Sequence, residues 1–173
     1  ATLGGAITIS SQSGATGGEQ YGVYARAADS RAIISAKDGD ISITNTGKAN
    51  TGAYALNARN GGLIDVSTSG SGNITVTATN SVNGIAAGIL ADRSLGSMAK
   101  VTLAATGGGD IDVSAEALAN GHAYGAYVKG CGSTGNEVGV TADGGDVALA
   151  ATTRGSGNAM GLSVHTNGLG EIT

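Results

Sequence analysis

An Ile-x-Ile element returns five times in this chain, as Ile7/Ile9, Ile41/Ile43, Ile74/Val76, Ile111/Val113 and Val147/Leu149. Successive first positions lie 34, 33, 37 and 36 residues apart. A period in that range belongs to stacked repeat architectures, in which each unit buries its apolar face only against its neighbours.

Every unit contains three stretches with period-two alternation. Strand A is the Ile-x-Ile element, with Asp40, Asn73, Asp110 or Asp146 just before it in all but the first unit. Strand B carries a glycine, read as the column Gly22, Gly52, Gly88, Gly125 and Gly161. Strand C is Ala32-x-Ile34, Ile64-x-Val66, Val101-x-Leu103, Val138-x-Val140 and finally Ile172. Alternate residues of a strand face opposite ways. Strand A therefore turns its aliphatic residues inward and Thr8, Ser42, Thr75, Asp112 and Ala148 outward. In strand B the same alternation places Tyr21/Val23/Ala25 and its equivalents inside. Gly22/Tyr24/Arg26, Gly52/Tyr54/Leu56 and their equivalents fall outside. No apolar pattern of period 3.6 persists, so no helix is expected.

These features predict an all-β fold. It is a parallel β-helix of three strands per coil, about 4.5 coils of roughly 35 residues, with each strand pairing its equivalent one coil away. The handedness preference of parallel crossovers favours the right-handed form. Residues 1–173 read as a single β-helix segment. Its open ends, with the final Glu171-Ile172-Thr173 reading as a strand cut short, suggest excision from a longer surface protein and a capacity for end-to-end self-association.

Composition fits a narrow core. Among 173 residues there are 32 Gly, no Pro, Phe or Trp, and five Tyr. A disordered Gly/Ser tract would not alternate so regularly. The formal net charge of −4, with both signs dispersed, offers no footprint for nucleic acid or anionic lipid. No apolar run approaches the roughly 18 residues of a membrane-spanning helix. Cys131, alone in Gly130-Cys131-Gly132, cannot form an intrachain disulfide and reads as a loop residue without an activating neighbour.

The stretches Thr51-Gly52-Ala53-Tyr54-Ala55, Gly61-Gly62-Leu63-Ile64-Asp65-Val66-Ser67 and Gly72-Asn73-Ile74-Thr75-Val76-Thr77 resemble the passenger domains of bacterial autotransporters and related surface adhesins. The likeness extends over essentially the whole chain. It implies secretion, display on the bacterial cell surface, and outer-membrane association through a region not in this chain. It also implies a role in adhesion, or as a stalk, in virulence. The family's translocating β-barrel and the Gly-Asp-Ser-Gly signature of its protease members are not found in this sequence.

The candidate ligand face is the outward column Tyr24, Tyr54, Leu90 and Tyr127. Tyrosine suits recognition because it joins apolar area to a polar tip. The same column also fits a stacking ladder that stiffens the sheet, or a stripe under a folded-over loop. Beside it run Arg26, Arg59, Arg93, Lys129 and His165, at offsets of 4, 7, 5, 4 and 4 from the glycine column. They suit either an acidic glycan or the solvated charges that protect a sheet edge.

The turn acids Asp38/Asp40, Asp110/Asp112 and Asp143/Asp146 are expected to shape turns, since the period is far from that of calcium-roll repeats. The hydroxyl grid of strand A (Thr8/Ser10, Ser42/Thr44, Thr75/Thr77) is similar to that of ice-binding solenoids, but fails at Asp112 and Ala148/Ala150. His122 and His165 lie in different coils without metal-ligand spacing. No catalytic, metal or cofactor site is expected.

The leading expectation is a surface adhesin segment, acting as binding face or rigid spacer and without enzymatic activity. Its partners would be a host-cell or matrix protein or a glycan. The alternative is a β-helical polysaccharide lyase or hydrolase, which needs carboxylates converging in one groove. Asp65 and Asp112 sit on different strands and coils and make no such pair. Outward carboxylates clustered with a basic partner would favour the enzyme.

Overall fold

A computed structural model describes residues 2–93, 97–130, 135–166 and 170–173. Among these the chain forms sixteen strands and no helix. It opens with β1 (Thr2–Leu3), β2 (Ile7–Gln12), β3 (Glu19–Arg26) and β4 (Arg31–Lys37). It continues through β5 (Ile41–Gly47), β6 (Gly52–Arg59) and β7 (Leu63–Ser69), then β8 (Ile74–Asn80), β9 (Ile85–Arg93) and β10 (Lys100–Thr106). Next come β11 (Ile111–Ala117), β12 (Ala123–Gly130) and β13 (Asn136–Asp143), and finally β14 (Val147–Thr153), β15 (Ala159–Thr166) and β16 (Gly170–Ile172).

Every third strand joins the same sheet, so the chain winds as a parallel β-solenoid of about four turns. The A sheet runs β2-β5-β8-β11-β14, the B sheet β3-β6-β9-β12-β15, and the C sheet β1-β4-β7-β10-β13-β16. In the A sheet Ile7, Ile41, Ile74, Ile111 and Val147 stand in one column. In the C sheet Ala32, Ile64, Val101, Val138 and Ile172 do the same. Both registers follow the repeat. The strand β1, which pairs with Ala36 and Lys37, had no counterpart in the sequence reading. The turns from C to A use positive φ at Asp38 (59°), Gly70 (91°) and Gly107 (109°), as their Gly/Asp content predicts.

The B sheet departs from simple alternation. Opposite Gly22 stands Ala55, not Gly52, because Tyr21 pairs with Tyr54 and Val23 with Leu56. The small-residue column is thus Gly22, Ala55, Gly88, Gly125, Gly161, and at each of these positions the ladder of paired residues is interrupted. A Cβ on Gly88 would lie 2.5 Å from Val113 Cγ1, and one on Gly125 would lie 3.1 Å from the backbone N and O of Ala150. The column therefore faces inward, where the B strands pinch against the A strands. The expectation that these glycines face solvent is wrong.

The pinch reverses the alternation. After it, Leu56, Ile89, Ala126 and Val128 enter the main core; before it, Tyr21, Ala87 and Tyr124 lie on the outer face. Leu56, expected outside, is fully buried, and the two tyrosines expected inside are out. The pinch also divides the interior. The wide end, closed by the C sheet, is filled by Ile, Val, Leu and Ala from all three sheets. The narrow end, between the A and B sheets, holds Ala86, Ala115, Ala117 and Ala123. In the last strands the inward Val147, Leu162 and Val164 are exposed.

Candidate binding face

All five tyrosines of the chain lie on the outer face of the B sheet. The fold explains why. The core is filled by aliphatic side chains, whereas the pinch dents the B strands inward and turns the residues one before it and two after it to the same outer face. Residues three apart flank that dent and meet across it. Tyr21 and Tyr24 stack with ring centroids 4.1 Å apart and planes within 2°, and Tyr124 and Tyr127 stack at 4.4 Å and 21°. Tyr21 also reaches Tyr54 in the next coil at 5.9 Å. Offset stacking at such distances is the arrangement that aromatic quadrupoles favour.

The four residues of the predicted ligand column do share this face, but they form two columns. Tyr24, Asn57, Leu90, Tyr127 and Ser163 make one; Tyr21, Tyr54, Ala87, Tyr124 and Met160 make the other. Tyr54 belongs to the second, for the same reason that Gly52 is not the pinch residue. Nor is the column an open stripe. Leu90 and Tyr54 are each 3% exposed and Tyr127 7%, while Tyr24 is 36% exposed. Rings and aliphatic side chains bury one another along the rod, and the accessible part of the cluster lies at Tyr24 and the half-buried Tyr21 and Tyr124.

One edge of the cluster is charged. Arg59 donates from Nη1 to Glu19 Oε2 at 2.9 Å and from Nε to Asp92 Oδ2 at 2.9 Å, with Nη2 2.7 Å from the same oxygen. The Tyr21 hydroxyl donates to the same Glu19 oxygen at 2.5 Å. Burial opposes the charge of Arg59, but its hydrogen bond to Asp92 and the charges of Asp92 and Glu19 outweigh this and raise its pKa. Burial, and then the bond to Glu19, push the Tyr21 phenol far above its usual range. Burial, and then the charge of Glu19, do the same to Tyr54. Both phenols are neutral donors at physiological pH. Sequence reasoning missed this trio because Glu19 and Asp92 are 73 residues apart in the chain, in coils on either side of Arg59.

The basic residues form no uniform column. Arg26, Arg59, Asp92, Lys129 and His165 stand in register. Counted from Ala55, Arg59 takes the same offset of 4 as its neighbours. Arg93 falls one residue later, opposite Gly130. An acidic residue thus separates two of the cations, and Arg59 is spent on two carboxylates.

Asn57 has a different surrounding. It lies between Leu56 and Ala58, which point into the core, so its side chain points outward among the rings. It is fully buried there, and neither its Oδ1 nor its Nδ2 has a hydrogen-bond partner. Other buried asparagines are satisfied. Asn45 Nδ2 donates to the carbonyls of Gln20 and Tyr54, both at 3.1 Å. Asn80 Nδ2 donates to Ala49 O at 2.8 Å and Ile85 O at 3.1 Å, and its Oδ1 accepts from Ala49 N–H at 3.1 Å.

Of the turn acids, Asp40 and Asp110 act between coils, as does Asn73. Asp40 Oδ1 accepts from Asn73 N–H, Asn73 Oδ1 from Asp110 N–H, and Asp110 Oδ1 from Asp146 N–H, each at 2.8 Å. Among the described residues no group of three His, Cys, Asp or Glu is placed to hold a metal ion. Asp65 is paired with Arg31 at 2.9 Å in the C sheet, far from the outward Asp112 of the A sheet. His122 Nδ1 accepts from Asn158 N–H at 3.1 Å, and His165 stands opposite Lys129. Cys131 lies outside the described residues.

Compared with protein-family models, with curated proteins and with solved structures, the chain gives no match.

Proposed function

We propose that this chain is an adhesive segment of a surface-displayed solenoid, and that the outer face of its B sheet is the recognition surface. The observation that carries this is the gathering of every tyrosine onto one outer face, in a chain whose core uses none. Stacked, pre-ordered rings lose little entropy on binding and offer both apolar area and hydroxyls. The setting, a secreted passenger of the autotransporter type, rests on the resemblance of the repeat motifs. Host-cell or matrix proteins and glycans are the partners that such a setting supplies.

The test is binding of the purified chain to cultured host cells and to arrayed matrix proteins and glycans. A Tyr24→Ala/Tyr124→Ala variant is run beside it, with its fold checked by circular dichroism. These two tyrosines are the more accessible members of their stacked pairs, so the substitutions leave the buried Tyr54 and Tyr127 in place. Binding by the native chain and at least a tenfold loss in the folded variant would support the recognition surface. Equal binding by both would place recognition elsewhere on the rod.

The trio Glu19, Arg59 and Asp92 favours a second reading, a polysaccharide-cleaving enzyme, because it sets two carboxylates and a cation on one outer face. Here the guanidinium occupies the gap that an attacking water or a sugar would need. Release of reducing or unsaturated sugar ends from polysaccharides, lost in Glu19→Gln and Asp92→Asn, would establish it. No release from any polysaccharide would remove it.

A further inference from the structure

We propose, resting on the recognition role given above to the outer face of the B sheet, that Asn57 and the Tyr21/Tyr24 pair form a subsite for a neutral sugar ring. A buried amide with no partner costs stability, on the order of 1–3 kcal/mol for a polar group of this kind. Its neighbours in the column are Tyr24 and Leu90, and an apolar residue in place of an amide without partners would suit the fold better there. Asn45 and Asn80 show what a structural asparagine does in this protein: each bonds two backbone carbonyls. Asn57 bonds none, so its donor and its acceptor remain for a group from outside the chain.

On one side of this amide in the column stands an accessible ring, Tyr24, and on the other the buried Leu90. Tyr24 pairs with Asn57 across the strands and is the most exposed tyrosine of the cluster. It also comes close enough to Arg59, the next outward residue beyond Asn57, to help hold that charge. Rotation of Tyr24 about its own side-chain bonds would uncover the amide without moving a strand. The uncovered site would offer the flat face of Tyr21, one amide donor, one amide acceptor and the Tyr24 hydroxyl. Adjacent hydroxyls of a pyranose each give and take one hydrogen bond, and the C–H face of the ring stacks on an aromatic plane. Charge selects the class of sugar. Arg59, the cation beside Asn57, is already held by Glu19 and Asp92, and this trio carries a formal net charge of −1 that disfavours a carboxylate or sulfate at the amide; the exposed Arg26 stands beyond Tyr24, one coil away from Asn57.

The experiment titrates the whole chain with neutral oligosaccharides ending in galactose, glucose, mannose or N-acetylglucosamine, and with sialylated and sulfated ones. Binding is followed by ligand-observed NMR and calorimetry. Thermal unfolding of Asn57→Leu, Asn57→Ala and Tyr24→Phe is measured in parallel. The expected result is binding of at least one neutral series, lost by tenfold or more in both Asn57 variants. Asn57→Leu should keep or raise the melting temperature, and Tyr24→Phe, which keeps the ring but loses the hydroxyl that the site offers, should bind several-fold more weakly than the native chain. If Asn57→Leu binds as tightly as the native chain, the subsite is wrong, and it is equally wrong if only acidic sugars bind. Binding to cells or matrix proteins that Tyr24→Ala/Tyr124→Ala abolishes, with no sugar bound, overturns the sugar subsite and leaves the recognition surface standing. No binding to cells, matrix proteins or sugars overturns both.

Discussion

At the wide end of each coil, Ile41, Ile43, Ile64, Ile74, Val76 and Leu103 are packed out of reach of water by aliphatic neighbours from all three sheets. At the narrow end the same A strands carry Asn45, Asn80, Ala115 and Ala117, and the B strands opposite offer the small Ala53, Ala86 and Ala123. One end is held by buried apolar volume, the other by close backbone approach and by amides that bond the facing carbonyls. The pinch column between them lets a single pair of strands serve both. A solenoid can thus be stabilised by two different chemistries within one coil, and substitutions should expose the difference.

The largest effect should come from emptying the wide end. Ile74→Ala removes a fully buried side chain from the middle of the A-sheet stack. It should cost about 4 kcal/mol, since the neighbouring coils cannot collapse into the space. Chemical denaturation would read this as a lower midpoint, and a loss under about 1 kcal/mol would mean that the wide end is not the main source of stability. Next is the waist. Gly125→Ala places a methyl 2.5 Å from Gly161 O and against the backbone of Ala150, where neither strand can yield independently. A cost of about 3 kcal/mol is expected from overpacking of this kind. The same substitution at Gly14, where a Cβ would meet nothing within 4 Å, provides the control.

The period made the three sheets and two of their registers legible, because Ile, Val and Leu mark the inward positions of strands A and C. Strand B hides its register in a single residue, the Ala55 that stands opposite Gly22, and every position after it shifts with that residue. Gly52-Ala53-Tyr54 looks like Gly22-Val23-Tyr24, which aligns the two, although a step of 33 residues, like that from Ile41 to Ile74, leads from Gly22 to Ala55. The irregular offset of Arg59 carried the same signal. The reversal of alternation at the pinch could not be read from a two-residue period, since it arises where opposing backbones meet. The outer trio of Glu19, Arg59 and Asp92 depends on that corrected register and was hidden with it. Asn45 and Asn80 stand in inward phase, one alternation beyond Ile43 and two beyond Val76, yet alternation alone gives no partner for them.

The narrow end should respond to loss of a hydrogen-bonding group as the wide end responds to loss of volume. Asn80→Ala leaves the carbonyls of Ala49 and Ile85 and the Ala49 N–H without their side-chain partner inside the protein. A cost of about 2 kcal/mol is expected, between that of an ordinary hydrogen bond and that of several orphaned groups. Asn80→Leu should fare no better, because its bulk does not satisfy the carbonyls. If Asn80→Leu proved more stable than the native chain, the narrow end would be an apolar core like the wide one, and the contrast between them would fail.

The smallest effect tests how the wide end is closed from outside. There the coils are tied by the exposed ladder of Asp40, Asn73, Asp110 and Asp146, in which a side-chain oxygen of each of the first three accepts the backbone N–H of the next member, one coil on. These bonds resemble those of Asn80 in length but face water, which replaces a lost partner at little cost. Asp110→Ala should therefore lower stability by only about 1 kcal/mol, less than Asn80→Ala. Asp110→Asn should be close to neutral, because Asn73 already performs the same task with an amide oxygen and needs no charge. Thermal unfolding with added Ca²⁺ and with chelator supplies the remaining arm. A ladder that works through hydrogen bonds unfolds at the same temperature in both, whereas a rise of several degrees with Ca²⁺, lost in Asp110→Asn, would make the acids ligands rather than braces.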